Sequence, residues 1–158
     1  MHKIILSTLL LTSLSFADKS YSFFGAQTSF VNYNNIASPA LGLKYGVQKN
    51  MWRTTVNLDY ATTGSDTLSS LSLQVDKGVL RNVTQNSPLK PYVGASLGLL
   101  QYQGDKTNKG YGYGLNTGLT YLLNDAMDID LDFKYIYATK MDAFNSINTL
   151  TLSLHYFY

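Results

Sequence analysis

From about residue 20 onward the chain alternates apolar and polar positions with a period of two, most strictly over residues 127–137. There Met127, Ile129, Leu131, Phe133, Tyr135 and Tyr137 hold one parity. Asp128, Asp130, Asp132 and Lys134 hold the other, with Ile136 as the exception. Successive side chains of a strand point to opposite faces, so the segment predicts a β-strand with one apolar and one charged face. Seven further stretches repeat the pattern. Near residues 20–31, Phe24, Ala26, Thr28 and Phe30 oppose Gly25, Gln27 and Ser29. Next, Leu41, Leu43, Tyr45 and Val47 oppose Gly42, Lys44, Gly46 and Gln48. Trp52, Thr54, Val56, Leu58 and Tyr60 oppose Arg53, Thr55, Asn57 and Asp59. Leu71, Leu73 and Val75 oppose Ser70, Ser72, Gln74 and Asp76. A fifth strand from Pro91 carries Val93, Ala95, Leu97 and Leu99, and a sixth sets Tyr111, Tyr113, Leu115, Thr117, Leu119 and Tyr121 against Gly112, Gly114, Asn116, Gly118 and Thr120. The last sets Leu150, Leu152, Leu154, Tyr156 and Tyr158 against Thr149, Thr151, Ser153 and His155.

The connections alternate in kind. Lys49-Asn50 reads as a two-residue turn that pairs Val47 with Trp52 and Gly46 with Arg53, which keeps both faces matched. Asn124-Asp125-Ala126 reads as a three-residue turn bringing Leu123 opposite Met127. Polar loops are expected over residues 32–39, 61–67, 103–109 and 138–144, and residues 78–90 are the longest irregular piece. An even number of antiparallel strands joined up and down, with aromatics gathered near strand ends, predicts an all-β, eight-stranded transmembrane β-barrel whose apolar face meets lipid. In that order the tight turns share a side with both termini, the side expected to be periplasmic.

The N-terminus adds an address. Met1-His2-Lys3, an apolar run and Ser15-Phe16-Ala17 describe a cleaved secretory signal peptide over residues 1–17, leaving 18–158 as the barrel domain. No later segment is apolar enough for a membrane helix, so any crossing is made by strands. Cysteine is absent, which removes disulfide and thiol chemistry. A net charge of +2 without a basic cluster argues against a nucleic-acid partner. The 13 tyrosines suit interfacial girdles, where an apolar ring carries a polar tip.

The stretch Pro91-Tyr92-Val93-Gly94-Ala95-Ser96-Leu97-Gly98, the run Gly118-Leu119-Thr120-Tyr121 before the turn, and the aromatic C-terminus together resemble the small bacterial outer-membrane β-barrel family. That family includes OmpX and the transmembrane domain of OmpA. The resemblance covers nearly the whole mature chain and speaks to architecture rather than activity. It implies residence in the bacterial cell outer membrane and contact with outer-membrane lipid. It also implies that the last strand, with Leu154, Tyr156 and terminal Tyr158, is read by the barrel-assembly machinery. A monomer is expected.

An eight-stranded barrel is only wide enough for its own side chains to fill. The inward set combines small polar residues with Lys44, Arg53, Asp59, Asp76, Asp128, Asp130, Asp132 and Lys134. Opposite charges sealed from lipid should pair across the lumen, with the inward glycines making room for the long basic chains, so a charged plug is expected. A narrow pore for small solutes is the rival reading. A soluble lipocalin-like barrel, with the two faces exchanged, is a second.

Two groups invite chemistry. Asp128, Asp130 and Asp132 share a face and could suggest Ca²⁺, but alternate strand residues lie about 6.6 Å apart, too far to close on one ion. His155, the one histidine beyond the leader, falls beside Asp128 if the last hairpin centres on Met141-Asp142, with Ser153 one inward position away. A triad needs nucleophile and base in hydrogen-bonding reach, and neighbouring inward side chains point in parallel instead of converging. The expectation is a structural His–Asp bond: not an enzyme, with no catalytic residue, metal site or cofactor. The function expected is that of a non-enzymatic envelope protein with a structural or surface-interaction role carried by its external loops.

Overall fold

The computed structural model describes residues 20–34, 36–79, 87–104 and 107–158; the expected signal peptide lies outside the described residues. Eight strands follow in order: β1 (Ser20–Tyr33), β2 (Ile36–Lys49), β3 (Trp52–Thr63), β4 (Asp66–Gly78), β5 (Leu89–Gln103), β6 (Thr107–Asn124), β7 (Met127–Thr139) and β8 (Ser146–Phe157). Each pairs antiparallel with its sequence neighbours, and β1 pairs with β8 to close the barrel. Closure leaves no sheet edge, so every strand finds ladder partners on both sides. The turns β2–β3, β4–β5 and β6–β7 lie at the end that holds the start of β1 and the end of β8, here the terminal end. The other four connections lie at the loop end.

The two faces invert the arrangement of a soluble protein. Leu41 and Leu115 are each 71% exposed and Phe30 67%, whereas Asn57, Asp130 and Asp132 are 0% exposed. Such an exterior suits hydrocarbon, not water. Exposed aromatics collect toward both ends of the outer face: Phe24, Tyr45, Trp52 and Tyr156 at the terminal end, Tyr60, Tyr111, Tyr113 and Tyr137 at the loop end. Lysines sit with these girdles. Lys77 Nζ lies 5.2 Å from the Trp52 ring and Lys140 Nζ 5.5 Å from that of Tyr111. Thr117 on the outer face hides its hydroxyl in the ladder, Oγ1 donating to the Tyr92 carbonyl at 3.0 Å.

Two local readings of the sequence are corrected. The β2–β3 turn is Asn50-Met51, not Lys49-Asn50, so Lys49 faces Trp52 and Gln48 faces Arg53. Val47 therefore pairs with Thr54 instead of Trp52, a slip of two positions that leaves each side chain on its expected face. Asn50 takes the left-handed conformation (φ 54°), which asparagine tolerates better than its neighbours Lys49 or Met51. The register after the Asn124 turn is as expected from Leu122–Asp128 onward, with an irregularity at the turn itself, where Asn124 faces Met127.

The loop-end connections are also shorter than the polar stretches suggested. β1 runs to Tyr33 and β2 resumes at Ile36; β3 and β4 are separated only by Gly64 and Ser65, Gly64 being left-handed at φ 60°. β5 extends to Gln103 and β6 starts at Thr107, while β7 reaches Thr139. Within residues 78–90, Gly78, Leu89 and Lys90 belong to strands, and 80–86 lie outside the described residues.

Candidate functional site

The lumen is where the chain gathers its chemistry, and Arg53 is its centre. From β3 its Nε donates to Asp76 Oδ2 on β4 at 3.0 Å, and both Nη atoms reach Asp130 Oδ1 on β7 at 3.2 Å. The guanidinium carbon lies 4.4 Å from the centre of the Tyr92 ring of β5. The Tyr92 hydroxyl stands between Asp130 Oδ2 (3.0 Å) and Asp132 Oδ1 (2.9 Å), and its single proton serves one of them at a time. Thr120 of β6 donates to Asp130 at 2.8 Å, and Lys44 of β2 lies 3.4 Å from the same carboxylate. Lys134 pairs with Asp132 at 3.4 Å. Asp76 is further held by Gln74 (3.0 Å) and Asn116 (2.5 Å), and Asp59 accepts from Gln27 and Ser70. The basic charges enclosed here each find a carboxylate, Arg53 at Asp76 and Asp130, Lys44 at Asp130 and Lys134 at Asp132, as an enclosed charge requires.

The expected tenants of this space are present, and the role given to the glycines changes. A Cβ at Gly25 would meet the His155 ring, at Gly46 the Phe23 ring, at Gly94 the Asp76 carboxylate, and at Gly118 the Tyr92 hydroxyl and the Leu131 carbonyl. They make room for rings and carboxylates rather than for the basic chains. Gly118→Ala is therefore expected to push Tyr92 off Asp130 and Asp132. A shift of the Tyr92 ring resonances, together with a loss of about 1–3 kcal/mol in urea unfolding, would record it. An unchanged Tyr92 environment would count against the close approach.

The three aspartates of β7 spread over several partners: Asp128 to His155, Asp130 to Arg53 and Lys44, Asp132 to Lys134, with the Tyr92 hydroxyl shared between Asp130 and Asp132. His155 Nδ1 pairs with Asp128 Oδ1 at 2.7 Å, in the register expected, and the ring packs 4.7 Å from Phe23. Ser153 Oγ and His155 Nε2 are both buried without a hydrogen-bond partner. The Oγ–Nε2 bond on which a triad depends is therefore not formed in this arrangement.

The sequence reading missed the other half of the lumen. Toward the loop end the inward positions turn apolar: Val31, Ala40, Ala61, Leu68, Leu100, Ala138, Ile147 and, half-buried, Ile136 form one cluster. Three rings close over it, Tyr33 against Phe144 at 5.3 Å, Tyr102 against Phe144 at 5.8 Å and Tyr33 against Tyr102 at 5.9 Å. Tyr33 and Phe144, expected as aromatics of the external loops, thus face inward and are 3% exposed each. Met141 and Phe144 come from the β7–β8 connection, which is tied down by Ala138 N to Asn145 O (2.8 Å) and by Asn34 to the Ala143 carbonyl. Between this cap and Lys134 and Asp59 remains a cavity of about 50 Å³. The signal was present in the sequence as Ile136, the one break in the β7 alternation. Phe144→Ala is expected to cost about 3–5 kcal/mol and to speed amide exchange at Leu100 and Ile147; unaltered exchange would mean that the ring closes nothing.

At the terminal end the lumen opens into a chamber of about 770 Å³, with Arg53, Asp76, Thr120 and Asp128 among its deeper residues and Tyr21, Met51, Leu122 and Phe157 among its walls.

No protein-family model matches the sequence, and no curated protein is significantly similar to it. Solved structures do match. Neisserial surface protein A aligns at 20% identity over 87% of this chain and 96% of that one, with a TM-score of 0.69. The N-terminal β-barrel domain of Pseudomonas aeruginosa OprF aligns at 12% identity over 89% and 100%, with a TM-score of 0.65. Ail, the attachment invasion locus protein of Yersinia pestis, aligns at 16% identity over 88% and 97%, with a TM-score of 0.53. At these identities the likeness is one of fold: the closed eight-stranded antiparallel barrel of small outer-membrane proteins.

Proposed function

We propose that this chain is an integral barrel of the bacterial outer membrane, non-enzymatic, with a lumen closed to solutes and a structural or surface-interaction role. The observation that carries it is the pairing of an apolar, aromatic-girdled exterior with an interior blocked by side chains at two levels beyond the terminal-end chamber. The Arg53–Asp76–Asp130 network occupies one half, and the Tyr33–Tyr102–Phe144 cap closes the other. The shared fold of known outer-membrane barrels supports the location. The terminal end would face the periplasm and the loop end the exterior, and the last strand, ending at Tyr158, would present the signal for the barrel-assembly machinery.

Function at the surface would fall to short connections, since the aromatic rings of Tyr33 and Phe144 are committed to the cap. Among the described residues exposed at the loop end are the charged Lys109, Lys140 and Asp142. A monomer needs no further interface, because closure satisfies every strand. Planar-bilayer recordings of the folded barrel test the closed lumen. Silence is expected at all voltages; reproducible unitary steps would replace this reading with a narrow pore.

A further inference from the structure

We propose that the chamber at the terminal end is a binding site for a small amphiphilic amine, its ammonium held by Asp128 and its apolar stem laid against Leu122, Met51 and Phe157. Asp128 lines the chamber and is 1% exposed; Oδ1 is taken by His155, whereas Oδ2 has no hydrogen-bond partner. A buried carboxylate oxygen left bare is costly, and a donor entering from the chamber relieves that cost.

The charge around the site favours a cation over an anion. Among the described lumenal residues, Asp59, Asp76, Asp128, Asp130 and Asp132 outnumber Lys44, Arg53 and Lys134. Arg53, the one cation on the chamber floor, is already engaged by Asp76 and Asp130. Lys90 and Asp125, which also line the chamber, are both exposed. Asp76 has its own donors in Arg53, Gln74 and Asn116, so Asp128 is the carboxylate with capacity to spare.

The walls supply the second half of the recognition. Leu122 is on the inward parity of β6, next after Thr120, yet remains 38% exposed, and Tyr21 is 52% exposed although it also faces inward, opposite Gln48. An apolar side chain turned into the lumen and left uncovered is the surface that an alkyl stem would bury. Acid floor and apolar wall together select a positively charged head on a hydrophobic tail.

The inference rests on the lumen being closed beyond the chamber, which bilayer recordings test separately. The probe is hexylammonium, titrated into the isotopically labelled barrel in lipid nanodiscs, with the His155 ring and the Met51 methyl observed by NMR. Saturable shifts are expected in the wild type. Asp128→Asn should weaken them by about tenfold or more, and Leu122→Arg, which removes the apolar wall and sets a competing guanidinium opposite Asp128 while leaving the acid in place, should abolish them. The second variant decides the matter if the first fails to fold. Equal shifts with hexanol would mean apolar partitioning alone, and equal competition by sodium would mean an inorganic cation site; either overturns the proposal, as do shifts that never saturate. A conducting wild type that still binds hexylammonium at Asp128 would sink only the closed lumen.

Discussion

Asp130→Ala is expected to destabilise the barrel by about 3–5 kcal/mol, because it removes one partner of a buried ion pair and strands the other. Arg53 would keep Asp76 but lose the carboxylate that engages both its Nη atoms, and Lys44 would lose the one carboxylate with which it pairs at 3.4 Å. Thr120 and the Tyr92 hydroxyl would lose an acceptor as well. Reversible urea unfolding of the protein in lipid vesicles measures the effect. Asp130→Asn sharpens the test: it preserves shape and an amide oxygen, so a loss near that of alanine assigns the energy to charge. If both variants fell within about 1 kcal/mol of the wild type, Arg53 and Lys44 would be reaching water, as at a surface pair. The lumen would then be wet.

A positive charge in the middle of the outer face has the next largest expected effect. Leu152 faces outward on β8 between Leu131 of β7 and Thr28 of β1, away from both girdles, and is 49% exposed. Leu152→Arg should cost about 2–4 kcal/mol when the barrel is in a bilayer, where the midplane is least tolerant of charge. The same change at Tyr156, in the terminal-end girdle, should cost about 0–1 kcal/mol. In a soluble barrel the order would vanish, since exposed surface substitutions away from special features stay within about 0.5 kcal/mol. The pair of variants therefore separates a membrane protein from a lipocalin-like one without knowledge of any ligand. Heat-stable mobility in unboiled gels gives a rapid readout, and equal behaviour of the two variants would reverse the assignment of faces.

These effects also mark how far local pattern reaches. The β2–β3 turn was read one residue off, which slips the register by two, yet every face was right, because alternation specifies register only modulo two and the turn residue selects among the remaining options. The loop-end strands were read short for a different reason. Val31 and Tyr33 on β1, Ala61 on β3 and Leu100 on β5 put apolar side chains inward, while the outward neighbours mix apolar Phe30, Tyr60 and Leu99 with polar Asn32, Thr62 and Gln101, so the contrast between faces disappears. Periodicity cannot report a strand whose two sides look alike. The His155–Asp128 bond was legible because it follows from one hairpin centre, Met141-Asp142, and from nothing farther away.

What the sequence determined by itself is therefore the set of properties carried by neighbours along the chain: strand number, the two faces, the polar and charged character of the inward positions in the terminal-end half, and the pairing of adjacent strands to within a two-residue slip. Only the closed tertiary structure decided who meets whom across the lumen. Arg53 joins Asp76 of the next strand to Asp130, four strands on in chain order, and Tyr33, Tyr102 and Phe144 meet from β1, β5 and the β7–β8 connection. Those contacts depend on how far each strand is staggered before the barrel closes, a quantity summed over all eight pairings and written in none of them.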